Sequence, residues 1–138
     1  MSTNYKYSKQ KQLSNGQWIK MYFSRFVDSY KIVCWTVGLV IDDSKRKCNH
    51  WYLKNNDNYT KQTGKCGLEG LRQSLQWLLE FEDNIKRYNK YTNRKRINRI
   101  YVGWADEKRH NAYSWLYRYG YYYEFYEHEL CLCKQIYL

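Results

Sequence analysis

Proline is absent from this chain of 138 residues, alanine occurs only twice, and polar residues and tyrosines fill the places that alanine takes elsewhere. The bias towards lysine, asparagine, tyrosine and isoleucine is that of A+T-rich coding, so composition by itself overstates any binding signal. The stretch MSTNYKYSKQKQ that opens the chain holds no apolar run of signal-peptide type, and no segment approaches the length of a membrane span. This predicts a soluble, cytoplasmic protein with no membrane partner. Five cysteines, an odd number without a secretion signal, argue against a disulfide framework and for reduced thiols used mostly in packing. There is no phosphate-binding loop of Walker type, and no internal repeat, linker or low-complexity tract.

What remains is a chain of single-domain size, long enough to bury a core without metal or disulfide staples. Twenty-four Lys and Arg residues face 13 Asp and Glu, a formal net charge of +11; this bears on partners and solubility rather than on fold, and an acidic partner is expected. Aromatic residues make up 20% of the chain, and the apolar residues are spread along it, which excludes general disorder.

Residues 1–16 read as a basic, flexible leader and residues 17–138 as one domain. QWIKMYFSRFV (Gln17 to Val27) alternates as a strand, and YKIVCWTVGLVI (Tyr30 to Ile41) is β-branched and nearly continuous, with Asp28-Ser29 as a tight hairpin between them. A turn over Asp42 to Asn49 leads to a third strand, His50 to Lys54. Leu68, Leu71, Leu75, Leu78, Leu79, Glu82 and Ile85 then recur at spacings of three and four, one stripe of a helix ending near Tyr88. Arg99 to Ala105 reads as a buried strand. Asp106 caps a second helix with Ala112, Trp115, Leu116 and Tyr119 on its packed face and Gly120 at its C′ position. The last residues alternate as a hairpin turning at Glu127 to Glu129. The expected fold is α/β in the broad sense (α+β): a central, mostly antiparallel sheet with two main helices, in the order β-β-β-α-β-α-β(-β).

A helix returning to a strand, and a second helix ending in Gly-aromatic before a terminal hairpin, resemble the core of the GNAT family of N-acetyltransferases. QTGKCG (Gln62 to Gly67) is similar to that family's Gln/Arg-x-x-Gly-x-Gly turn, with Lys65 in place of the middle glycine and Gly64 one position early. The resemblance implies acetyl-CoA as cofactor, held at its pyrophosphate by the turn containing Gln62, Gly64, Lys65 and Gly67 at a helix N-terminus. It also implies a tyrosine on the last helix as general acid. Asn111 and Ala112 fit the family's pattern there, but Leu116 stands four residues before Gly120 and Tyr117 one residue later, so Tyr117 would be a displaced acid.

The densest charge feature lies between the two helices. In the fourteen residues from Lys86 to Arg99, KRYNKYTNRKRINR, seven are basic (Lys86, Arg87, Lys90, Arg94, Lys95, Arg96, Arg99) and none is acidic. Cations at a helix C-terminus favour its dipole, yet seven exceed what capping requires. Arginine forks suit phosphate, and Tyr88 and Tyr91 interleave aromatic faces. Lys45, Arg46 and Lys47, with Lys6, Lys9 and Lys11, would extend this face. Against them, residues 121–138 carry Glu124, Glu127 and Glu129 with one lysine.

NAYSWLYRYGYYYEFY, residues 111–126, holds seven tyrosines, and packing is the expected role of most of them. Alternation puts Tyr121, Tyr123 and Phe125 on one face and Tyr122, Glu124 and Tyr126 on the other, wetter face. Cys131, Cys133, Cys48 and His50 can be drawn as a zinc set, but same-face cysteines on a strand are ordinary core. His50, His110 and His128, with carboxylates such as Asp106 and Glu129, fall in no nucleophile or metal motif. The leading expectation is a non-catalytic basic binding protein, without cofactor, that engages DNA, RNA or a nucleoprotein complex. Its size and coding bias suit a phage or plasmid accessory protein that antagonises a host nucleic-acid defence. A CoA-dependent acetyltransferase is the alternative, and a protein inhibitor with an aromatic surface is a third class.

Overall fold

The computed structural model describes residues 5–49, 68–92, 97–103, 114–126 and 128–136. They form an α+β fold: a six-stranded sheet in the order β1-β2-β3-β4-β6-β5 with a long helix on one face. Along the chain these are β1 (Tyr5–Gln12), β2 (Trp18–Val27), β3 (Val33–Asp42), a short helix α1 (Lys45–Asn49), the long helix α2 (Glu69–Thr92), β4 (Asn98–Val102), a 3-10 turn of helix (Ser114–Tyr119), β5 (Tyr122–Tyr126) and β6 (Glu129–Ile136). Neighbouring strands are antiparallel except β3 and β4, which run parallel from Val33↔Asn98 to Val37↔Val102. A parallel pair needs a crossover, and α2 lies in the chain between the two. The expected third strand, His50 to Lys54, and the helix start at Asp106 lie outside the described residues. At Lys45–Asn49, where a turn was expected, there is a short helix.

The expected flexible leader is instead an edge strand over much of its length: β1 pairs with β2 from Tyr5↔Arg25 to Gln12↔Trp18. Alternation explains why its charge does not keep it in solvent. Tyr7, Lys9 and Lys11 share the face that α2 covers, where Tyr7 stacks on Phe23 at 4.7 Å. The two lysines lay their stems across the sheet and reach the helix, Lys9 to Glu80 at 3.2 Å and Lys11 to Gln73 at 3.3 Å. Ser14, just beyond β1, donates from its backbone N–H and its hydroxyl to Glu69 in the first turn of α2. These hydrogen bonds hold the Glu69 carboxyl below its ordinary pKa.

Strand parity sorts the core into two layers. Ile19, Met21 and Phe23 of β2, Val33 to Ile41 at odd positions of β3, Ile100 and Val102 of β4, and Leu132 and Ile136 of β6 face α2 and form one cluster with Trp77, Leu78, Phe81 and Ile85. The other face carries a smaller cluster of Cys34, Tyr101, Cys131 and Cys133, with Phe26 and Tyr126 against it. The β2–β3 connection is wider than a two-residue hairpin. The Asp28 carboxylate accepts the backbone N–H groups of Tyr30 and Ile32, both at 2.9 Å, and Lys31 takes a positive φ of 63°.

The α2 stripe is centred as its periodicity predicts, with Leu78, Glu82 and Ile85 buried, but Leu68 at its start is exposed. Of the expected packed face, Ala112 lies outside the described residues, and of Trp115, Leu116 and Tyr119 only Leu116 is buried; Trp115 is 47% exposed and Tyr119 is exposed as well. The described segment winds as a 3-10 helix rather than an α-helix, and it buries Leu116 alone. Gly120 ends it at φ 91°, as its C′ position predicts, with Tyr121 N–H bonded to Leu116 O at 3.1 Å. In β5 the two faces alternate as expected, but the wetter-face assignment fails at Phe125, which is 68% exposed. Burial on the α2 side falls from Tyr121 through Tyr123 to Phe125 along this edge strand.

One charged contact joins α2 to the sheet from inside. Glu82 accepts an ion pair from Lys134 of β6, with the carboxylate side chain 3% exposed and the lysine 23%. Lys134 also lies over the ring of buried Tyr121, 5.5 Å from its centroid. Removing one partner of such a pair strands a buried charge, whereas replacing both does not. Lys134→Met is therefore expected to lower unfolding stability by about 3 kcal/mol, the low end for a buried pair because the lysine is partly exposed, and adding Glu82→Leu to recover most of it. Urea unfolding of the two variants measures this; a double variant no more stable than Lys134→Met alone would show that loss of the lysine leaves no stranded charge at Glu82.

Candidate nucleic-acid interface

The crossover sets where the cations lie. Because α2 runs back along β3, its first turns sit against Val37, Leu39 and Val102, and its last turns against Val33, Trp35 and Asn98. Lys86, Arg87 and Lys90 are on those last turns, all exposed. At 100° per residue they fall within an arc of about 100° on the side of the helix away from the sheet. None forms an ion pair among the described residues, although Asp83 lies one turn earlier in the same arc. Tyr91 is in the final turn of α2; its side chain, and Arg94, Lys95 and Arg96, lie outside the described residues.

Arg99 does not join this group. It alternates with Asn98 and Ile100, which face α2, and so emerges on the opposite face of the sheet. There it is half-buried and its Nε–H donates to Gln135 Oε1 at 2.6 Å. Parity within β4 overrides proximity in sequence, and Arg99 is committed to its own sheet.

Lys45, Arg46 and Lys47 are also separated from the cluster. They follow the C-terminal end of β3, whereas α2 ends beside its N-terminal end. Ten strand residues put about 30 Å between those ends, several Debye lengths at physiological salt. Lys47 is 3.8 Å from Asp43, and the Lys45 ammonium sits over Trp18, 5.7 Å from the ring centroid. Of the leader lysines, Lys9 is paired with Glu80, and Lys6 is exposed on the sheet face away from α2.

The sites implied by the acetyltransferase resemblance are only partly in view. Gln62, Gly64, Lys65 and Gly67 lie outside the described residues. Tyr117 is half exposed, its ring edge-on to Tyr123 at 5.2 Å. Desolvation, and then the contact with Tyr123, put its phenol above the ordinary pKa. At the edge of the parallel pair, where β3 and β4 separate beyond Val37 and Val102, a cavity of about 30 Å³ lies among Gly38, Gly103, Leu75 and Trp115. That is room for a water molecule.

Among the described residues no group of three or more histidine, cysteine or acidic side chains is placed to hold a metal, and no helix is long and apolar enough to cross a membrane. His50 and His110 lie outside them. Cys34, Cys48, Cys131 and Cys133 are free and buried. The Cys48 thiol donates to Trp18 O and the Cys131 thiol to Glu124 O. The chain matches no protein-family model, no curated protein and no solved structure.

Burial pushes Cys34 and Cys48 from an ordinary thiol value near 9.0 up to about 11, and Cys131 up to about 12. The thiolate is the nucleophile, so these three are expected to resist iodoacetamide at pH 8 in the folded protein and to react after unfolding, as mass mapping of the label would show. A thiol whose folded pKa is raised stabilises the fold fully below its unfolded value and loses that contribution above it. Stability is thus expected to fall as pH rises from 9 towards 11, and thermal melts across that range measure it.

Proposed function

We propose that the protein is a non-catalytic binding protein that engages DNA, RNA or a nucleoprotein complex through the cationic end of α2. The observation that carries this reading is the placement of Lys86, Arg87 and Lys90: exposed, within one arc, and without an ion pair among the described residues. Lys134 inside the fold and Lys9 at its surface are each paired with a carboxylate; these three pair with none among the described residues. The chain runs from them directly into Arg94, Lys95 and Arg96. Phosphate contacts supply affinity without sequence preference, and their contribution falls with salt.

A second reading, a CoA-dependent acetyltransferase, is supported by the parallel β3–β4 pair spanned by α2 and by the helical turn that closes on Gly120 before the terminal hairpin. It ranks below the first because the space at the edge of that pair is water-sized and an acyl thioester needs far more. Acetyl-CoA raising the melting temperature, with Gly67→Asp abolishing the rise, would reverse the order.

For the leading reading, log affinity for a single-stranded or duplex oligonucleotide is expected to fall linearly with log salt. Lys86→Ala/Arg87→Ala/Lys90→Ala should flatten the slope by about 2–3, near one unit for each phosphate no longer neutralised. The matching triple substitution of Lys45, Arg46 and Lys47 should leave the slope unchanged, because that group sits at the far end of the sheet. Fluorescence anisotropy titrations at several salt concentrations measure both. No binding at low salt, or equal losses from the two triples, would reject this interface.

A further inference from the structure

A cavity of about 470 Å³ opens between the last turns of α2 and the Val33 end of the sheet, on the inner side of the same turns whose outer side carries the three cations. Its walls are aromatic: Tyr7, Trp35 and Phe81 line it, with their rings fixed against one another at centroid distances of 4.8 to 6.4 Å. The Trp35 indole is anchored further, its N–H donating to Asn98 Oδ1 at 3.3 Å.

Into this aromatic space the sheet places an arginine. Arg25 faces α2 from β2, opposite Trp35 of β3, and lines the cavity. Its Nε is buried and has no hydrogen-bond partner, and no carboxylate pairs with its guanidinium among the described residues. A buried N–H without an acceptor destabilises a fold, and nothing in this fold requires that cost at an edge-proximal strand position. A planar fork of donors lacking an acceptor, beside a cavity, is matched by an anionic oxygen pair from outside. Side-chain amides complete the lining: Asn84 at the exposed mouth, Asn89 and Asn98 deeper. Aromatic walls, amides and one guanidinium are together the chemistry that takes a base, its polar edge and its phosphate.

We propose that this cavity binds one unstacked nucleotide, either within a single strand or as a free nucleoside monophosphate, with the base against the aromatic wall and the phosphate on Arg25. The volume falls in the range of small-molecule sites, about 300–1,000 Å³, which admits one nucleotide and excludes a stacked duplex. The choice of a nucleotide over another planar anion rests on the nucleic-acid reading above; the unpartnered guanidinium in an aromatic cavity does not.

The test is calorimetric titration of the full chain with adenosine and uridine 5′-monophosphates, the two nucleosides and inorganic phosphate, followed by single-stranded oligonucleotides. It is run on the wild type, Arg25→Gln, Arg25→Lys, Asn84→Ala and the Lys86/Arg87/Lys90 alanine triple. A monophosphate is expected to bind with a dissociation constant on the order of a millimolar or tighter. It should bind about tenfold better than its nucleoside and better than phosphate alone. Arg25→Gln should remove that tenfold advantage, as deleting one charge-assisted hydrogen bond does, Arg25→Lys should keep part of it, and the surface triple should keep all of it. If Arg25→Gln fails to fold, the wild-type comparison of monophosphate with nucleoside decides alone. No binding of either monophosphate at about 10 mM, equal binding of inorganic phosphate, or an unchanged Arg25→Gln would overturn the proposal. Salt-dependent oligonucleotide binding without monophosphate binding would overturn the cavity and leave the basic surface standing. Monophosphate binding without oligonucleotide binding would do the reverse, leaving a free-nucleotide site.

Discussion

Phe81 is the point on which the described fold closes. It is buried at the middle of α2, with its ring 4.4 Å from Phe23, 4.8 Å from Trp35 and 5.9 Å from Tyr7, so one side chain touches β1, β2 and β3 at once. Truncating a buried phenylalanine costs about 3–5 kcal/mol, a large share of what holds a domain of this size. The contact also fixes direction. With Phe81 seated on Phe23 and Trp35, the turns before it lie over Met21, Val37 and Leu39 and the turns after it over Val33 and Asn98. The basic end of the helix then has one place to be, beside the start of the parallel pair.

That placement gives the two sides of the last α2 turns different work. Ile85 and Asn89 turn inward to the sheet and are buried, while Lys86, Arg87 and Lys90 turn outward. A helix period of 3.6 residues makes this separation automatic. A phosphate backbone on the outer cations and a base in the inner cavity would therefore be neighbours around one helix end.

How much of this was legible follows from which period governs each residue. The leucine spacing from residue 71 onward, the β-branched run of β3 and the alternation of β2 are strong periodic signals, and the elements stand where those signals put them. β1 escaped because its alternation is written in lysine and tyrosine, and its charge is absorbed by Glu80 and Gln73 more than sixty residues away. Arg99 was misplaced for the opposite reason: dense charge in sequence suggested a shared face, but the segment crosses from helix to strand, and strand parity sends it through the sheet. A 3.6-residue period puts Trp115 and Tyr119 on a packed face with Leu116, but in the 3-10 helix of Ser114–Tyr119 both are exposed and Leu116 alone is buried. The cavity had no signal of its own, since Tyr7, Arg25, Trp35 and Phe81 come from four elements and meet only through register.

The net charge of +11 looks different once cations among the described residues are located. Lys134 is bound to Glu82 in the interior, Lys9 and Lys47 are paired at the surface, and Arg99 is tied to Gln135. Exposed pairs of this kind add little to stability; what they do is lower the field around themselves. The helix end is left as a place where like charges repel, with no carboxylate paired to them among the described residues. Salt relieves that repulsion in the free protein by screening, and an anionic partner relieves it by contact. The two compete, so added salt would stabilise the free fold at this end and weaken the complex proposed above. Cations inside the fold give neither response, because the Glu82–Lys134 pair is shielded from solvent ions. The opposite signs therefore separate the charge that builds the protein from the charge it has left to offer.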